Sequence, residues 1–488
     1  MLFNSFEFLL FFPCVTTLFF FLPHKFRWQL LLVASCFFYM FFKPEYILIL
    51  FGTIIIDYFA GIQIHKAANR AAAKRWLIAS IIANVGVLVV FKYYNFINAN
   101  ITGIATWFGC TNHIPVLDIV LPIGLSFHTF QAMSYTIEVY RGKQQPERHL
   151  GIYALYVMFY PQLVAGPIER PQNILHQFYE KQVFSYENMA AGLRLIGWGL
   201  FKKVFIADRL AVYVSTVFDA PHGYHGLQIL TAMIFFSIQI YCDFSGYSDI
   251  AIGAARCMGF RLMENFNKPY FATSIAQFWT RWHISLSTWF RDYLYIPLGG
   301  NRQGVVKLFR NILIVFLISG IWHGANWTYV VWGGLHGLFL ITENLWNRTK
   351  RLTEAKPSAV ANFLRMLLTL TLVTFAWTFF RAATIHDAIY LCAHSFDNIV
   401  HEIKCVITNE GLLRNTLLYL NLGKARFFMA VASIFFLLVM EKISGTDTVM
   451  NYIAKKKTVV RWSFYFFIVY ATLLASESGQ NQFIYFQF

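Results

Sequence analysis

The sequence predicts an all-α protein that crosses a membrane many times. The chain has 488 residues, of which 57% are hydrophobic and only 13% are charged, whereas a soluble domain averages about 25% charged residues. Aromatic residues make up 19% of the chain, a level typical of membrane cores and interfacial belts. No single core could shield this much apolar surface from water, so lipid must be the solvent for much of it.

Long apolar runs mark the candidate membrane segments. A crossing helix needs about 20 such residues, and one run is long enough for two passes. The runs lie at about 7–23, 28–42, 45–64, 76–93, 116–137, 150–165, 188–206, 227–252, 309–346, 362–380, 427–442 and 461–477. The N-terminus lacks the basic region and cleavage site of a signal peptide, so the first run is expected to stay as a transmembrane helix. We therefore predict ten to twelve transmembrane helices with re-entrant segments, in a single membrane domain over 1–488.

Basic residues predict the orientation of these helices, because cytoplasmic loops are enriched in Lys and Arg. The loops at 65–76, 141–149 and 348–361 are basic, which places them in the cytoplasm and the N-terminus outside. Residue 149 and the basic segment 281–310 are both predicted to be cytoplasmic, yet three apolar runs lie between them. An odd number of crossings would end on the other side, so one run must fail to cross the membrane. The run at 150–165, which contains Pro161, is the candidate. The net charge of +16 is therefore explained by Lys and Arg residues in cytoplasmic loops and not by binding to nucleic acid.

A segment at 274–298 carries aromatic residues at helical spacing. Its charged residues lie largely off the apolar stripe, which is typical of an amphipathic helix at the cytoplasmic interface. His283 is four residues after Trp279 and three before Leu286, so one continuous helix would place it on the apolar face. From this segment alone, a core histidine with one satisfied hydrogen bond is favoured over a functional histidine.

A polar turn interrupts the long run at 309–346. The apolar stretch before His323 has 14 residues, or about 20 Å of helix, which is short of a hydrocarbon core about 30 Å thick. Gly324 and Asn326 then break the helical pattern, and a second apolar stretch leads back to the basic segment 348–356. We expect a hairpin with His323 inside the bilayer, where an ionisable group is a functional candidate, although a helix-packing histidine would look the same.

Further polar residues are candidates for the lining of a cavity. His336 follows His323 by 13 residues, so one straight helix would turn them about 140° apart, but the intervening turn could bring them together. Asp243 and Asp249 are six residues apart on different faces of one apolar run, which is a poor spacing for a metal site. The remaining candidates are His128, Trp322 and Asn326, and a lone histidine in a kinked helix is weak evidence.

Several motifs are absent from the sequence. The seven cysteines form no CxxC pair, and the closest two are 13 residues apart, which argues against zinc sites, iron–sulfur sites and a disulfide scaffold. There is no GxSxG, Walker, HExxH or GxGxxG motif in a suitable context. No metal is therefore expected, and serine hydrolase, nucleotide hydrolase and zinc protease activities lack support.

Taken together, the segments resemble the membrane-bound O-acyltransferase family, and most closely its alginate O-acetylase branch. The matching motifs lie in the family's order and cover most of the chain. They are LPIGLSFHTFQAMSYTIEVYRG (121–142), FYPQLVAGPIERP (159–171), YCDFSGYSDIAIG (241–253), NKPYFATSIAQFWTRWHISLSTWFRDYLYIPLGGNR (267–302), SGIWHGANWTYVVWGGLHG (319–337), WTFFRA (377–382) and FIYFQF (483–488). The resemblance implies helices around a tunnel across the membrane, with a catalytic core at about 115–346.

The resemblance also implies a chemistry for two residues. The family's central histidine is matched by His323, and its second polar position by His283. The donor implied is cytoplasmic acetyl-CoA or a carrier-linked acyl thioester, used as a co-substrate, since no bound cofactor is expected. The acceptor is an exported polysaccharide, reached through a secreted or periplasmic acetyltransferase partner, and the location is the bacterial inner membrane.

A histidine with an unperturbed pKa near 6.5 suits the activation of an alcohol, so His323 is assigned as general base and His283 as the group that orients the acyl group or stabilises the oxyanion. Basic side chains at the cytoplasmic mouth could attract the donor's phosphates, although the positive charge typical of cytoplasmic loops is the favoured explanation; they are Lys268, Arg281, Arg291 and Arg302. Three alternatives remain open: D-alanyl-type transfer from a carrier protein to a cell-wall polymer, a proton-coupled transporter, and a scaffold without chemistry.

Overall fold

The computed structural model describes residues 1–119, 121–164, 166–349, 358–408, 418–420 and 423–475. Helices dominate this part of the chain and none of it forms a strand, which confirms the all-α prediction. The motif at 483–488 and most of the predicted loop at 348–361 lie outside the described residues. The chain packs into two compact units, residues 1–196 with 247–263 and residues 197–246 with 264–488.

Residues 1–196 contain the first nine helices and most of the tenth. They are α1 (Phe6–Phe21), α2 (His24–Met40), α3 (Tyr46–Lys66), α4 (Arg70–Leu88), α5 (Tyr94–Trp107), α6 (Leu125–Tyr140), α7 (Leu150–Met158), α8 (Tyr160–Leu163), α9 (Pro171–Ile174) and α10 (Tyr186–Leu200). A π-helical turn at Val89–Tyr93 joins α4 to α5. Buried hydrogen bonds join α3 to α4, because the Asp57 carboxylate accepts from Ser80 Oγ at 2.6 Å and from Asn84 Nδ2 at 2.8 Å. Asp57 therefore contributes to helix packing.

The later helices begin with α11 and α12, which are joined by a short 3₁₀ turn at Pro221–Gly223. They are α11 (Asp208–Phe218), α12 (Gly226–Cys257), α13 (Ile275–Arg281), α14 (Ile284–Phe290), α15 (Val305–His323), α16 (Trp327–Thr349), α17 (Ala359–Arg381), α18 (Ile385–His394), α19 (Ile399–Ile407), α20 (Lys424–Ile443), α21 (Val449–Ala454) and α22 (Thr458–Ala475). A π-helical segment, Phe201–Ala207, connects α10 to α11.

Five of the described helical segments are long and apolar enough to cross a membrane. They are Tyr46–Lys66, Arg70–Trp107, Gly226–Cys257, Val305–His323 and Ala359–Arg381, and two shorter apolar helices are Phe6–Phe21 and Thr458–Leu474. These segments confirm a multi-pass membrane protein, while the total of ten to twelve crossings stays a prediction. Helix α7 has nine residues, about 14 Å, so it cannot span the bilayer by itself.

The hairpin predicted around the polar turn is present, but its first arm is longer than expected. Helix α15 ends at His323 as predicted, yet it begins at Val305, and its 19 residues extend about 28 Å. Val305–His323 is long and apolar enough to cross a membrane, so the prediction that this arm is too short to cross is wrong. The basic residues Lys307 and Arg310 continue the helix and do not end it.

The two arms of the hairpin pack with their backbones in close contact. A Cβ on Gly320 of α15 would lie 2.2 Å from the carbonyl oxygen of Tyr329, and one on Gly333 of α16 would lie 2.2 Å from that of Phe316. Small residues allow this approach, which is a common way for helices to associate in membranes. The hairpin therefore holds its closed end, where His323 lies, in a fixed position.

Candidate active site

His323 is the last residue of α15 and lies within an aromatic cage. Only 4% of the residue is exposed. Its ring centroid lies 4.9 Å from that of Trp322, 4.9 Å from that of Trp332 and 5.3 Å from that of Phe380. The three rings are nearly perpendicular to the imidazole, an edge-to-face arrangement that aromatic pairs prefer and that holds the plane of the His323 ring.

Asn326 stabilises the turn that follows His323. Its Oδ1 accepts a hydrogen bond from the backbone N–H of Thr328 at 3.0 Å, which caps the start of α16. Its Nδ2 donates to the carbonyl oxygen of Ala383 at 3.0 Å, in the connection between α17 and α18. The structure thus places Asn326 in the support of the turn, and its role as a cavity lining stays a prediction.

His283 lies at a break between two helices. One continuous helix over this segment was expected, and that expectation is wrong, since α13 ends at Arg281 and α14 begins at Ile284. His283 has φ 43° and ψ 56°, a left-handed conformation that costs a non-glycine residue about 1–3 kcal/mol. Asn265 stabilises the break, because its carbonyl oxygen accepts from Ile284 N at 2.9 Å and its Oδ1 accepts from Ser285 N at 3.2 Å.

The break carries the His283 ring into the interior of the second unit. The residue is fully buried, and its ring lies edge-on to Phe244 at 4.6 Å between centroids. The Trp322 ring is 6.3 Å away. Trp322 therefore contacts both His283 and His323, so the two histidines matched to the family motif share one aromatic neighbour although they lie 40 residues apart in sequence.

His336 belongs to the same cluster of rings. Its ring centroid lies 5.1 Å from that of Trp332, which also contacts His323. The turn of the hairpin thus brings His323 and His336 to the same tryptophan. Trp279 Nε1 donates a hydrogen bond to His336 Nδ1 at 3.3 Å. An indole N–H can only donate, so Nδ1 accepts and the proton of the neutral ring is on Nε2.

Three polar N–H groups in this cluster have no hydrogen-bond partner among the described residues. They are His336 Nε2, Trp332 Nε1 and Trp377 Nε1. The Trp332 and Trp377 rings stack with their centroids 5.5 Å apart, and Trp332 contacts both histidines of the hairpin. Buried donors are normally satisfied, so the cluster is suited to a ligand that carries an acceptor oxygen, such as a carbonyl group. Trp332 and Trp377 lie within two of the family-like motifs, but no role was predicted for either.

Asp243 forms a buried ion-pair network. Lys203 Nζ lies 2.7 Å from Asp243 Oδ1 and 2.8 Å from Asp208 Oδ1, and all three side chains are at most 7% exposed. The neighbouring Lys202 donates to Ser245 Oγ at 2.8 Å. No role was predicted for either lysine, because Asp243 and Ser245, their partners on α12, lie about 40 residues later in the chain. The contacts give Asp243 a structural role in this network.

Asp249 and His128 belong to the first unit. His128 is 2% exposed, and its ring lies 6.3 Å from that of Tyr39. Neither of its ring nitrogens has a hydrogen-bond partner among the described residues. Asp249 is partly buried on α12. A cavity role for either residue remains a prediction.

The four basic side chains proposed to contact the donor's phosphates differ in their hydrogen bonds, ion pairs and exposure. Lys268 Nζ donates to Ser444 Oγ at 2.8 Å and to the carbonyl oxygens of Gly445 and Asp447, so all three of its N–H groups are used. Arg291 pairs with Asp292 at 2.8 Å. Arg281 is partly buried and Arg302 is exposed. Lys268 is thus the least suited of the four to hold a phosphate.

Comparison with known proteins agrees with this arrangement. The model of the membrane-bound O-acyltransferase family matches residues 149–383, a range that includes all three histidines of the cluster. The protein named "Probable alginate O-acetylase AlgI" from Pseudomonas aeruginosa is 41% identical over 390 residues, or 80% of this chain and 73% of that protein. The peptidoglycan O-acetyltransferase of Helicobacter pylori is 34% identical and covers 94% of this chain and 91% of its own length.

A more distant relative has a different named activity. The teichoic acid D-alanyltransferase of Bacillus subtilis is 28% identical over 292 residues, which cover 56% of this chain and 72% of that protein. The extent of the first two matches and the match to the family model together show the family of this chain. The chain belongs to the membrane-bound O-acyltransferase family and is an O-acyltransferase of the membrane.

Proposed function

We propose that this acyltransferase moves an acetyl group from a cytoplasmic thioester donor across the bacterial inner membrane for O-acetylation of an exported polysaccharide. The observation that carries the proposal is the buried imidazole of His323, held by three aromatic rings at the closed end of the α15–α16 hairpin. The names of the relatives support the acceptor class, because alginate and peptidoglycan are both polymers outside the cytoplasm.

His323 is the proposed general base. Its imidazole takes the proton from the acceptor hydroxyl as the oxygen attacks the carbonyl carbon of the thioester. The tetrahedral intermediate then expels the thiolate, which receives the proton from the imidazolium, so the products are an ester and a free thiol. General base catalysis of this kind contributes roughly 10²–10⁴ in rate. The aromatic cage excludes water that would otherwise hydrolyse the thioester.

His283 is proposed to orient the acyl group or to stabilise the oxyanion. Its contact with Trp322 places it next to the ring that also packs on His323. A donor aimed at developing negative charge is worth more in a low-dielectric site than in water. Trp332, Trp377 and His336 are proposed to line the acyl site, since each has a buried N–H without a partner in the described part of the chain.

The donor is proposed to be acetyl-CoA or a carrier-linked acyl thioester. Of the basic candidates, Arg281 and Arg302 are the better choices for its phosphates, because Lys268 is fully engaged and Arg291 is paired. A secreted or periplasmic acetyltransferase is the proposed partner for the final step. D-alanyl transfer to a cell-wall polymer is the second candidate function, favoured by the similarity to the teichoic acid enzyme.

A substitution of His323 tests the chemistry. His323→Ala should abolish transfer of radiolabelled acetyl from acetyl-CoA while the purified protein stays monodisperse in detergent. His176→Ala is the matched control, because that imidazole is exposed and pairs only with Glu180 at 3.8 Å. Activity of His323→Ala within about threefold of wild type would contradict a general base, whose loss should cost at least about a hundredfold.

Sealed vesicles of known orientation test the direction of transfer. Acetyl-CoA is supplied on the side of the cytoplasmic loops, and the acceptor glycan, together with the partner acetyltransferase, on either side in separate experiments. We expect acetylation of the glycan on the opposite side, because the acyl group crosses through the protein whereas CoA, a polyanion, does not cross lipid. Transfer only to an acceptor on the donor side would refute transport of the acyl group and leave the role of His323 intact.

A further inference from the structure

Three potential metal ligands meet on the surface of the second unit. They are His222, His386 and Asp387, and one ligand atom of each lies within 4.8 Å of the other two. His222 belongs to the 3₁₀ turn between α11 and α12, whereas His386 and Asp387 are in the first turn of α18. The sequence gives no hint of this group, because about 160 residues separate the first ligand from the other two.

The neighbours of these side chains orient them toward one another. Thr384 Oγ1 donates to Asp387 Oδ2 at 2.7 Å, while Asp387 Oδ1 lies 3.2 Å from His222 Nε2. The His222 ring packs edge-on against Tyr390 at 4.3 Å between centroids. Hydrogen bonds and packing of this kind hold the side chains that ligate a metal in position.

We propose that His222, His386 and Asp387 form a binding site for a divalent transition metal of the Zn²⁺ class. Two imidazole nitrogens and one carboxylate oxygen are a donor set that Zn²⁺ accepts, with bonds of about 2.0–2.2 Å. Tetrahedral bonds of that length place neighbouring ligand atoms about 3.3 Å apart, which matches the 3.2 Å between His222 Nε2 and Asp387 Oδ1. Three protein ligands leave the fourth position to water.

A simple ion pair between His222 and Asp387 is the competing explanation. The His222 side chain is 50% exposed, and exposed ion pairs stabilise proteins by at most about 1 kcal/mol. Such a pair would make no use of His386, whose ring centroid lies 5.4 Å from that of His222. The participation of His386 therefore distinguishes a metal site from an ion pair.

A bound metal would crosslink two connections that lie beside the closed end of the hairpin. Arg381 Nη2 pairs with Asp219 Oδ1 at 2.8 Å, so the α11–α12 and α17–α18 connections are already in contact. The carbonyl oxygen of Ala383, three residues before His386, accepts from Asn326 in the turn after His323. The metal would thus stabilise the segment that supports this turn. This inference does not depend on the proposed acyl transfer.

Metal binding to the purified full-length protein tests the site. The protein in lipid nanodiscs is stripped with EDTA and titrated with ZnCl₂, and affinity is measured by calorimetry while the thermal midpoint is followed by tryptophan fluorescence. We expect one equivalent of Zn²⁺ to bind and to raise the midpoint. His222→Ala, His386→Ala and Asp387→Asn should each weaken this binding at least about tenfold, since loss of even a supporting residue costs 10–100-fold.

His394→Ala is the matched control, because His394 is also on α18, contacts Tyr390 and lies outside the trio. It should bind Zn²⁺ as the wild type does. The midpoints of the metal-free variants show whether each has folded, which is expected because His222 and His386 are exposed and Asp387 is partly exposed. An affinity unchanged in His386→Ala, or no binding by the wild type, would overturn the proposal.

Discussion

Trp279 and His336 are joined by a hydrogen bond from the indole N–H to the imidazole Nδ1, at 3.3 Å. The bond connects α13 to α16 and determines the tautomer of the histidine, because Nδ1 must accept. His336 Nε2 therefore carries its proton into the aromatic cluster beside His323. The position of one proton in the proposed acyl site thus depends on a tryptophan 57 residues earlier.

This bond predicts a difference between two substitutions of similar size. His336→Asn places an acceptor oxygen near the position of Nδ1, whereas His336→Leu leaves the Trp279 N–H without an acceptor. A buried donor without a partner costs about 1–3 kcal/mol, and the partial burial of this bond favours the lower end. We expect the Leu variant to unfold at a lower temperature than the Asn variant, as measured by tryptophan fluorescence in detergent. Equal midpoints would show that the hydrogen bond adds no stability.

Two adjacent glycines in α16 provide a second prediction. A Cβ on Gly333 would lie 2.2 Å from the Phe316 carbonyl oxygen, but one on Gly334 would find its nearest neighbour, Leu317 Cδ2, at 3.8 Å. Gly333→Ala should separate the hairpin arms at a cost of about 1–3 kcal/mol and lower acyl transfer by displacing His323. Gly334→Ala is the control and should be neutral or stabilising, since Ala is the better helix former. Comparable thermal midpoints and activities in both variants would contradict the close packing.

The hairpin shows what the sequence can predict. Gly324 and Asn326 are poor helix formers, and they interrupt an otherwise apolar run, so the turn and the end of α15 were predictable. The start of α15 was not, because Lys307 and Arg310 resemble a boundary and yet continue the helix. Local residue preferences therefore predict the position of the turn, whereas they do not predict where α15 begins.

The surroundings of His283 and Asp243 could not be predicted from local pattern. The apolar spacing continues across His283, and the break there is stabilised by Asn265, which lies on a different segment. Asp243 pairs with Lys203 from a different helix. Both features are tertiary contacts between residues far apart in sequence, and the motif resemblance indicated His283 without indicating its conformation.

The Lys203 network leads to a third prediction. Lys203→Met removes the cation that lies between Asp208 and Asp243, and breaking a buried ion pair in this way typically costs about 3–5 kcal/mol. We expect a marked loss of thermal stability in detergent. The triple variant that also carries Asp208→Asn and Asp243→Asn should recover most of it, because neither of the two buried carboxylates is then left charged without Lys203. A single variant as stable as the wild type would show that the network is not structural.

The orientation of the protein is tested by labelling single cysteines from outside whole cells. Basic loops predict that Ala68, in the connection between α3 and α4, faces the cytoplasm, whereas Ala383, at the far end of α17 from the basic segment 348–356, faces outward. Both residues are exposed, so accessibility to an impermeant thiol reagent depends on the side of the membrane. The background must lack the seven native cysteines, because Cys14 and Cys110 are exposed.

We expect the Ala383→Cys protein to be labelled on intact cells and the Ala68→Cys protein only after the cells are opened. The physical basis is the cost of moving Lys66 and Arg70 across the bilayer, since positively charged loops resist translocation. Acyl transfer by both variants shows that the substitutions leave the fold intact. Labelling of Ala68→Cys on intact cells would contradict the cytoplasmic placement of the α3–α4 loop. Labelling of Ala383→Cys only in opened cells would place the closed end of the α15–α16 hairpin, which is hydrogen-bonded to Ala383 through Asn326, on the cytoplasmic side. The donor would then have to approach His323 from that end of the hairpin, and the proposed direction of transfer would be reversed.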